Sequence, residues 1–155
     1  MGLQTSIAVD SNDGLHISYL DLDNDELKYA TCASSCGSAS SWSVVSVDGI
    51  GTGVMQAGIA IDSNDDVHIV YTAIPSGTSN YVVKYSTCSS SCSSTSSWTT
   101  TTGIHPDVDV KQLSFTIDSN DALHIATLGV TSKDCLLYTS PSPRDVEESR
   151  MPSSA

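Results

Sequence analysis

Ile59-Ala-Ile-Asp-Ser-Asn-Asp-Asp-Val-His-Ile69 decides how this chain is read, because the phrase occurs three times. The other copies are Ile7-Ala-Val-Asp-Ser-Asn-Asp-Gly-Leu-His-Ile17 and Phe115-Thr-Ile-Asp-Ser-Asn-Asp-Ala-Leu-His-Ile125. In each, apolar residues alternate with small or polar ones on both sides of an Asp-Ser-Asn-Asp cluster, which spells strand, tight turn, strand. The repeated aspartates, Asp10, Asp62 and Asp118, stand 52 and 56 residues apart, and recurrence at such a period marks a repeat architecture.

Outward from the hairpin, a second phrase repeats. Lys28-Tyr-Ala-Thr-Cys32-Ala-Ser-Ser-Cys36 with Trp42 returns as Lys84-Tyr-Ser-Thr-Cys88-Ser-Ser-Ser-Cys92 with Trp98, at an offset of 56. Four residues are therefore inserted between His68 and Lys84, in the Pro/Gly/Ser segment 74–80, where a loop tolerates them. One unit reads as four short strands, at 6–10, 15–19, 26–31 and 42–47 in the first copy and 58–62, 67–72, 81–87 and 98–102 in the second. No stretch shows helical periodicity with caps. The expected fold is all-β: a β-propeller-like repeat of about two and a half four-stranded antiparallel blades. Blade 1 spans 4–55, blade 2 spans 56–111, and a partial blade 3 spans 112–134. Gln4 matches Gln56 and Gln112 in register, so the gene product is expected to begin upstream of residue 1.

The pattern breaks after Asp134. Cys135-Leu-Leu-Tyr-Thr-Ser-Pro-Ser-Pro-Arg-Asp145 resembles the translation of a transposase-type sequencing-library adapter, and Ser149-Arg-Met-Pro-Ser-Ser-Ala155 resembles the far end of the same oligonucleotide. That resemblance implies a tail at 135–155 that is disordered and carries no evolved role, so Cys135, Arg144 and Arg150 receive none.

Charge narrows the partners. Acids outnumber bases 18 to 6, giving a formal charge of -12, and the bases before Arg144 are only Lys28, Lys84, Lys111 and Lys133. Without a basic patch the chain cannot neutralise phosphates, which argues against nucleic acid and against anionic membrane surfaces. No apolar run approaches the ~20 residues that span a bilayer, so membrane insertion is not expected.

In the turns, Asn12, Asn64 and Asn120 are the expected left-handed residues, because position 14 is Gly but its counterparts are Asp66 and Ala122. Asp10, Asp62 and Asp118 are expected to bond backbone N–H groups of the turns they open. His16, His68 and His124 recur on one strand face. Either each contacts a ligand, or each is packed and tied to a turn Asp or a backbone carbonyl; the packed reading is preferred, because neighbours cover both faces of a blade. Cys32/Cys36 and Cys88/Cys92 form two C-x3-C pairs. Zinc would need about four converging ligands, so a local disulfide bracing each Ser-rich loop is expected, which places the chain in an oxidising compartment.

Asp21, Asp23 and Asp25 alternate as calcium ligands do, but the Gly of a calcium loop is missing and Thr72-Ala-Ile-Pro stands in the second repeat. Calcium is the only cofactor the sequence admits, and an exposed acidic hairpin is the preferred reading. Asp107 and Asp109 form a carboxylate pair of the kind that runs glycoside hydrolysis, at a spacing more typical of a solvated edge. Sialidase chemistry is disfavoured for want of an arginine cluster to hold the substrate carboxylate. No nucleotide-binding or hydrolase signature occurs.

The repeated Ile-Ala-Val/Ile-Asp-Ser-Asn with its following apolar-His-Ile strand resembles the NHL and Asp-box classes of secreted propeller repeats. The resemblance covers residues 4 to 134 and implies a carbohydrate- or protein-binding module at a cell exterior. The expected function is thus an exported scaffold or binding module for a glycan or protein, extracellular or at the cell surface. The alternatives are a fragment of a propeller glycoside hydrolase and purely structural repeats without a ligand. A partial ring would leave blade faces apolar and edges unpaired, so self-association to complete it is also expected.

Overall fold

A computed structural model describes residues 2–49, 56–75, 77–79, 81–105, 110–129, 135–140 and 147–150. Twelve strands occur among them, with two single turns of 3-10 helix and no α-helix. Sheet 1 comprises β1 (Gly2–Val9), β2 (Leu15–Asp21), β3 (Glu26–Cys32) and β4 (Ser43–Gly49). Sheet 2 comprises β5 (Ala57–Ile61), β6 (Val67–Ala73), β7 (Val82–Cys88) and β8 (Thr99–His105). Sheet 3 comprises β9 (Val110–Ile117), β10 (Leu123–Gly129), β11 (Cys135–Ser140) and β12 (Glu147–Arg150). Each sheet is an antiparallel meander in chain order.

Two expectations are corrected here. The third unit is a four-stranded sheet that begins at Val110, not a lone hairpin from 112. The segment expected to be a disordered tail supplies its outer strands, with β11 paired to β10 from Leu123↔Ser140 to Leu128↔Cys135 and β12 paired to β11. The reason is elementary: β10 would otherwise present a row of unpaired N–H and C=O groups, and Cys135-Leu-Leu-Tyr-Thr-Ser has no proline to prevent pairing. A strand edge is indifferent to the origin of the segment that satisfies it.

The sheets stack face to face with sheet 2 in the middle. Alternation along β6 sends Val67, Ile69, Tyr71 and Ala73 toward sheet 1, where they pack with Leu20, Leu27, Tyr29 and Val47. Val70 points the other way and packs with Val83, Tyr85, Val110, Leu123 and Ile125. Every residue of β6 is buried, whereas β2 buries only alternate positions, so the middle sheet is covered on both faces and, among the described residues, sheet 1 on one. Successive turns consequently stand side by side at one end of the stack.

Candidate functional site

The three repeated turns are built alike. Asp13 N–H bonds the Asp10 carbonyl (3.2 Å) and Asp10 N–H bonds the Gly14 carbonyl (3.0 Å), so the loop is a type I turn followed by one left-handed residue. That residue is Asp13 (φ 64°), Asp65 (φ 64°) and Asp121 (φ 60°), which corrects the assignment to Asn12, Asn64 and Asn120. Both residue types tolerate the conformation; the three-residue loop length puts it at the third position.

The first Asp of each turn engages both carboxylate oxygens. Asp10 Oδ1 accepts from the N–H groups of Asn12 (2.9 Å) and Gly14 (2.7 Å), while Oδ2 meets His16 Nε2 at 3.1 Å. Asp62 has the same partners in Asn64, Asp66 and His68, and Asp118 in Asn120, Ala122 and His124. Hydrogen bonds from His16 and His124 hold the Asp10 and Asp118 carboxyls below the usual range. Burial opposes the same shift at Asp62, but backbone N–H groups and His68 outweigh it.

His16 and His68 are buried and bridge two side chains. In the neutral ring a carboxylate can only accept, so Nε2 carries the proton and Nδ1 accepts from a tyrosine hydroxyl. The tyrosines are Tyr29 (2.6 Å from His16) and Tyr85 (2.5 Å from His68). They were visible in the repeated Lys-Tyr-x-Thr-Cys phrase, but only the pairing of β2 with β3 and of β6 with β7 brings them under the histidines. In sheet 3 the backbone register places Leu137 opposite Ala126, where Tyr29 stands opposite Ser18 in sheet 1.

Cys32–Cys36 and Cys88–Cys92 are disulfides with Cα atoms 5.7 and 5.8 Å apart. Beyond each bridge, Trp42 and Trp98 donate their indole N–H to the carbonyls of Cys36 and Cys92 at 3.0 Å. Such bridges form and persist in an oxidising environment. No helix among the described residues is long and apolar enough to cross a membrane.

Asp21, Asp23 and Asp25 are not brought together as a calcium site. Asp21 accepts from Asp23 N–H (3.2 Å) and the Asn24 amide (2.7 Å), Asp25 sits in a left-handed turn position, and no cluster of three metal-ligating side chains occurs among the described residues. Asp107 and Asp109 lie outside the described residues.

Between the turn ends of sheets 2 and 3 lies a groove of about 350 Å3. His68 and Leu123 line it together with Asp62, Asp66, Asn120 and Asp121 from the turns and Ser89, Ser97 and Thr99 from the disulfide loop and β8. Burial and the neighbouring Asp62 charge push the Asp66 carboxyl up, whereas Gly14 occupies the same place in the first turn. Asp62 and Asp121 are spent on the fold, but the Asp66 carboxylate, the Asn120 amide and the Ser89, Ser97 and Thr99 hydroxyls have no partner among the described residues. Sequence reasoning missed this constellation because its members come from four segments of two sheets. Comparison with protein-family models finds no match, and no curated protein is significantly similar.

Proposed function

We propose that this chain is an exported repeat module of the β-propeller type whose groove between sheets 2 and 3 binds a neutral glycan. The observation that carries the reading is the set of five uncommitted polar side chains over Leu123. A carboxylate, an amide and three hydroxyls offer both acceptors and donors to ligand hydroxyls, and an apolar floor suits the C–H face of a sugar ring. Two disulfides support export to the cell surface or beyond, since they need an oxidising compartment. Three stacked four-stranded sheets with their first strands adjacent support the propeller reading.

Saturation-transfer NMR against a panel of neutral oligosaccharides tests it. At least one sugar should show transfer, and Asp66→Ala or Asn120→Ala should weaken its binding by about tenfold, the worth of one good hydrogen bond to a desolvated ligand. Absence of transfer across the panel removes the reading.

Glycoside hydrolysis is the second reading, favoured by two carboxyls in one groove that are pushed in opposite directions, Asp62 down and Asp66 up. Asp62, however, already engages both oxygens, three of its roughly four acceptor sites, with two backbone N–H groups and His68. Release of nitrophenol from aryl glycosides, lost in Asp66→Ala, would favour hydrolysis over binding.

A further inference from the structure

The two junctions inside the chain share one contact, and among the described residues its two halves stand unused on the outer faces. Asp65 accepts the N–H (2.8 Å) and hydroxyl (2.6 Å) of Ser11, the turn serine of the sheet before it. Asp121 accepts the N–H (2.9 Å) and hydroxyl (2.5 Å) of Ser63 in the same way. The left-handed turn geometry aims each carboxylate at the preceding turn. Asp13 has that geometry too, yet it is exposed with no side-chain partner among the described residues, and Ser119 at the opposite end of the stack is likewise unpartnered among them.

The strand faces carry the same asymmetry. Ile7 and Val9 of β1 are 60% and 54% exposed, although Ile59, the counterpart of Ile7 in β5, is 7% exposed beneath sheet 1. On the far side of sheet 3, Leu128 is 39% exposed beside Ala126 and His124. Among the described residues, no sheet lies against the outer face of sheet 1 or of sheet 3, in a stack whose two filled junctions already show what fits.

We propose that a second copy of this chain docks head to tail on sheet 1, its sheet 3 seated on Ile7 and Val9 and its Ser119 N–H and hydroxyl donating to Asp13. The occupant must offer a turn serine beside a strand carrying His and small apolar residues, and the chain itself carries that set in Ser119, His124, Ala126 and Leu128. The contact is heterologous, so it closes into a ring or runs on as an open chain. Two copies would bring six sheets together, inside the range of four to eight in which such rings close. The contact spends one carboxylate on neutral donors, while each copy carries a net charge of -12. Salt therefore screens the repulsion between copies without dissolving the clasp.

Sedimentation velocity of the full chain, run as a concentration series at low and high NaCl, tests the docking. The expected result is reversible self-association that tightens with salt. Ile7→Asp should abolish it, and Asp13→Asn should weaken it by about tenfold, because an amide replaces one acceptor by a donor opposite the Ser119 hydroxyl. Both residues are exposed in the single chain, so the far-UV spectrum and unfolding midpoint of the dilute variants should match the parent. Ser119→Ala, which keeps the backbone N–H, should weaken association less than Asp13→Asn. A chain that stays monomeric at every concentration, leaving the face to some other protein, overturns the proposal. So does association that Ile7→Asp or Asp13→Asn leaves unchanged.

Discussion

The junction between sheets 1 and 2 and the junction between sheets 2 and 3 use the same turn clasp but fill the space beneath it differently. In the first, Tyr71 donates its hydroxyl to Asp48 (2.6 Å), the Lys84 ammonium pairs with the same carboxylate oxygen, and the ammonium lies 5.8 Å from the Tyr71 ring centroid. Trp98 adds an edge-on contact to Tyr29 with centroids 4.9 Å apart. In the second, Val70, Val83, Val110 and Ile104 make an apolar layer, and the position equivalent to Tyr71 is Thr127, whose buried hydroxyl has no partner among the described residues. The repeated motif therefore specifies how consecutive sheets are aligned, and the residues outside it specify how strongly each pair is held.

The largest predicted effect separates the two junctions directly. Asp48→Ala leaves the Lys84 ammonium and the fully buried Tyr71 hydroxyl without their shared acceptor. Loss of one partner of a buried pair costs about 3 to 5 kcal/mol, and solvent access to Asp48, about a fifth exposed, reduces this to about 2 to 3 kcal/mol. At the other junction the sign reverses: Thr127→Val removes a buried hydroxyl that bonds nothing among the described residues and should stabilise by about 1 kcal/mol. Urea unfolding of both variants measures the pair. Equal losses would mean that the polar knot contributes no more than the apolar layer.

Acid should act unevenly on the two junctions. Asp10, Asp62 and Asp118 have folded-state carboxyls held below their ordinary value, so the stability they contribute is present above that value and is lost as pH falls through the lower folded one. Asp66 runs the other way. Its carboxyl is raised, so the stability it contributes is fully present below the ordinary value and is lost as pH rises through the folded one. It lines the groove at the second junction, where the first turn has Gly14. The parent should therefore lose stability below about pH 4, the ordinary carboxyl range. Asp66→Ala, which copies the third turn's Ala122, should raise stability near neutral pH and leave the loss in acid intact. Thermal midpoints from pH 2 to 7 check both arms, and an Asp66→Ala curve that coincides with the parent's would remove Asp66 as the source of the asymmetry.

The hairpins are legible in the sequence because period-two alternation around a turn cluster is a local signal that no distant contact needs to supply. The disulfides are legible for the same reason, since only three residues lie between the cysteines of each pair. The left-handed position is misread by one residue because Asn12 and Asp13 tolerate it equally and only loop closure, the bond from Asp10 N–H to the Gly14 carbonyl, separates them. What holds the sheets to one another is not legible. Ser11 with Asp65 and Ser63 with Asp121 join residues 54 and 58 apart, and three identical turns carry no mark of which neighbour each one faces. The strand at 135–140 is missed because pairing there answers a need of β10, while the segment itself carries no repeat pattern.

The smallest predicted effect also distinguishes inside from outside. A disulfide between residues four apart closes so short a loop that little unfolded-state entropy is removed, and its stabilisation should be about 1 kcal/mol or less. The two bridges nevertheless differ in what lies beyond them. Cys92 and Trp98 pack against the core shared by sheets 1 and 2, and Trp98 rests on Tyr29, so loosening the second loop disturbs a junction. Trp42 makes the same bond to its own bridge but belongs to neither core, because among the described residues no sheet packs on the outer face of sheet 1. Cys88→Ser with Cys92→Ser should therefore lower the unfolding midpoint more than Cys32→Ser with Cys36→Ser when both are measured at dilution. The order should narrow where the chain self-associates, since a docked copy would cover Trp42 as sheet 1 covers Trp98. Equal losses at dilution would show that each bridge acts only on its own loop.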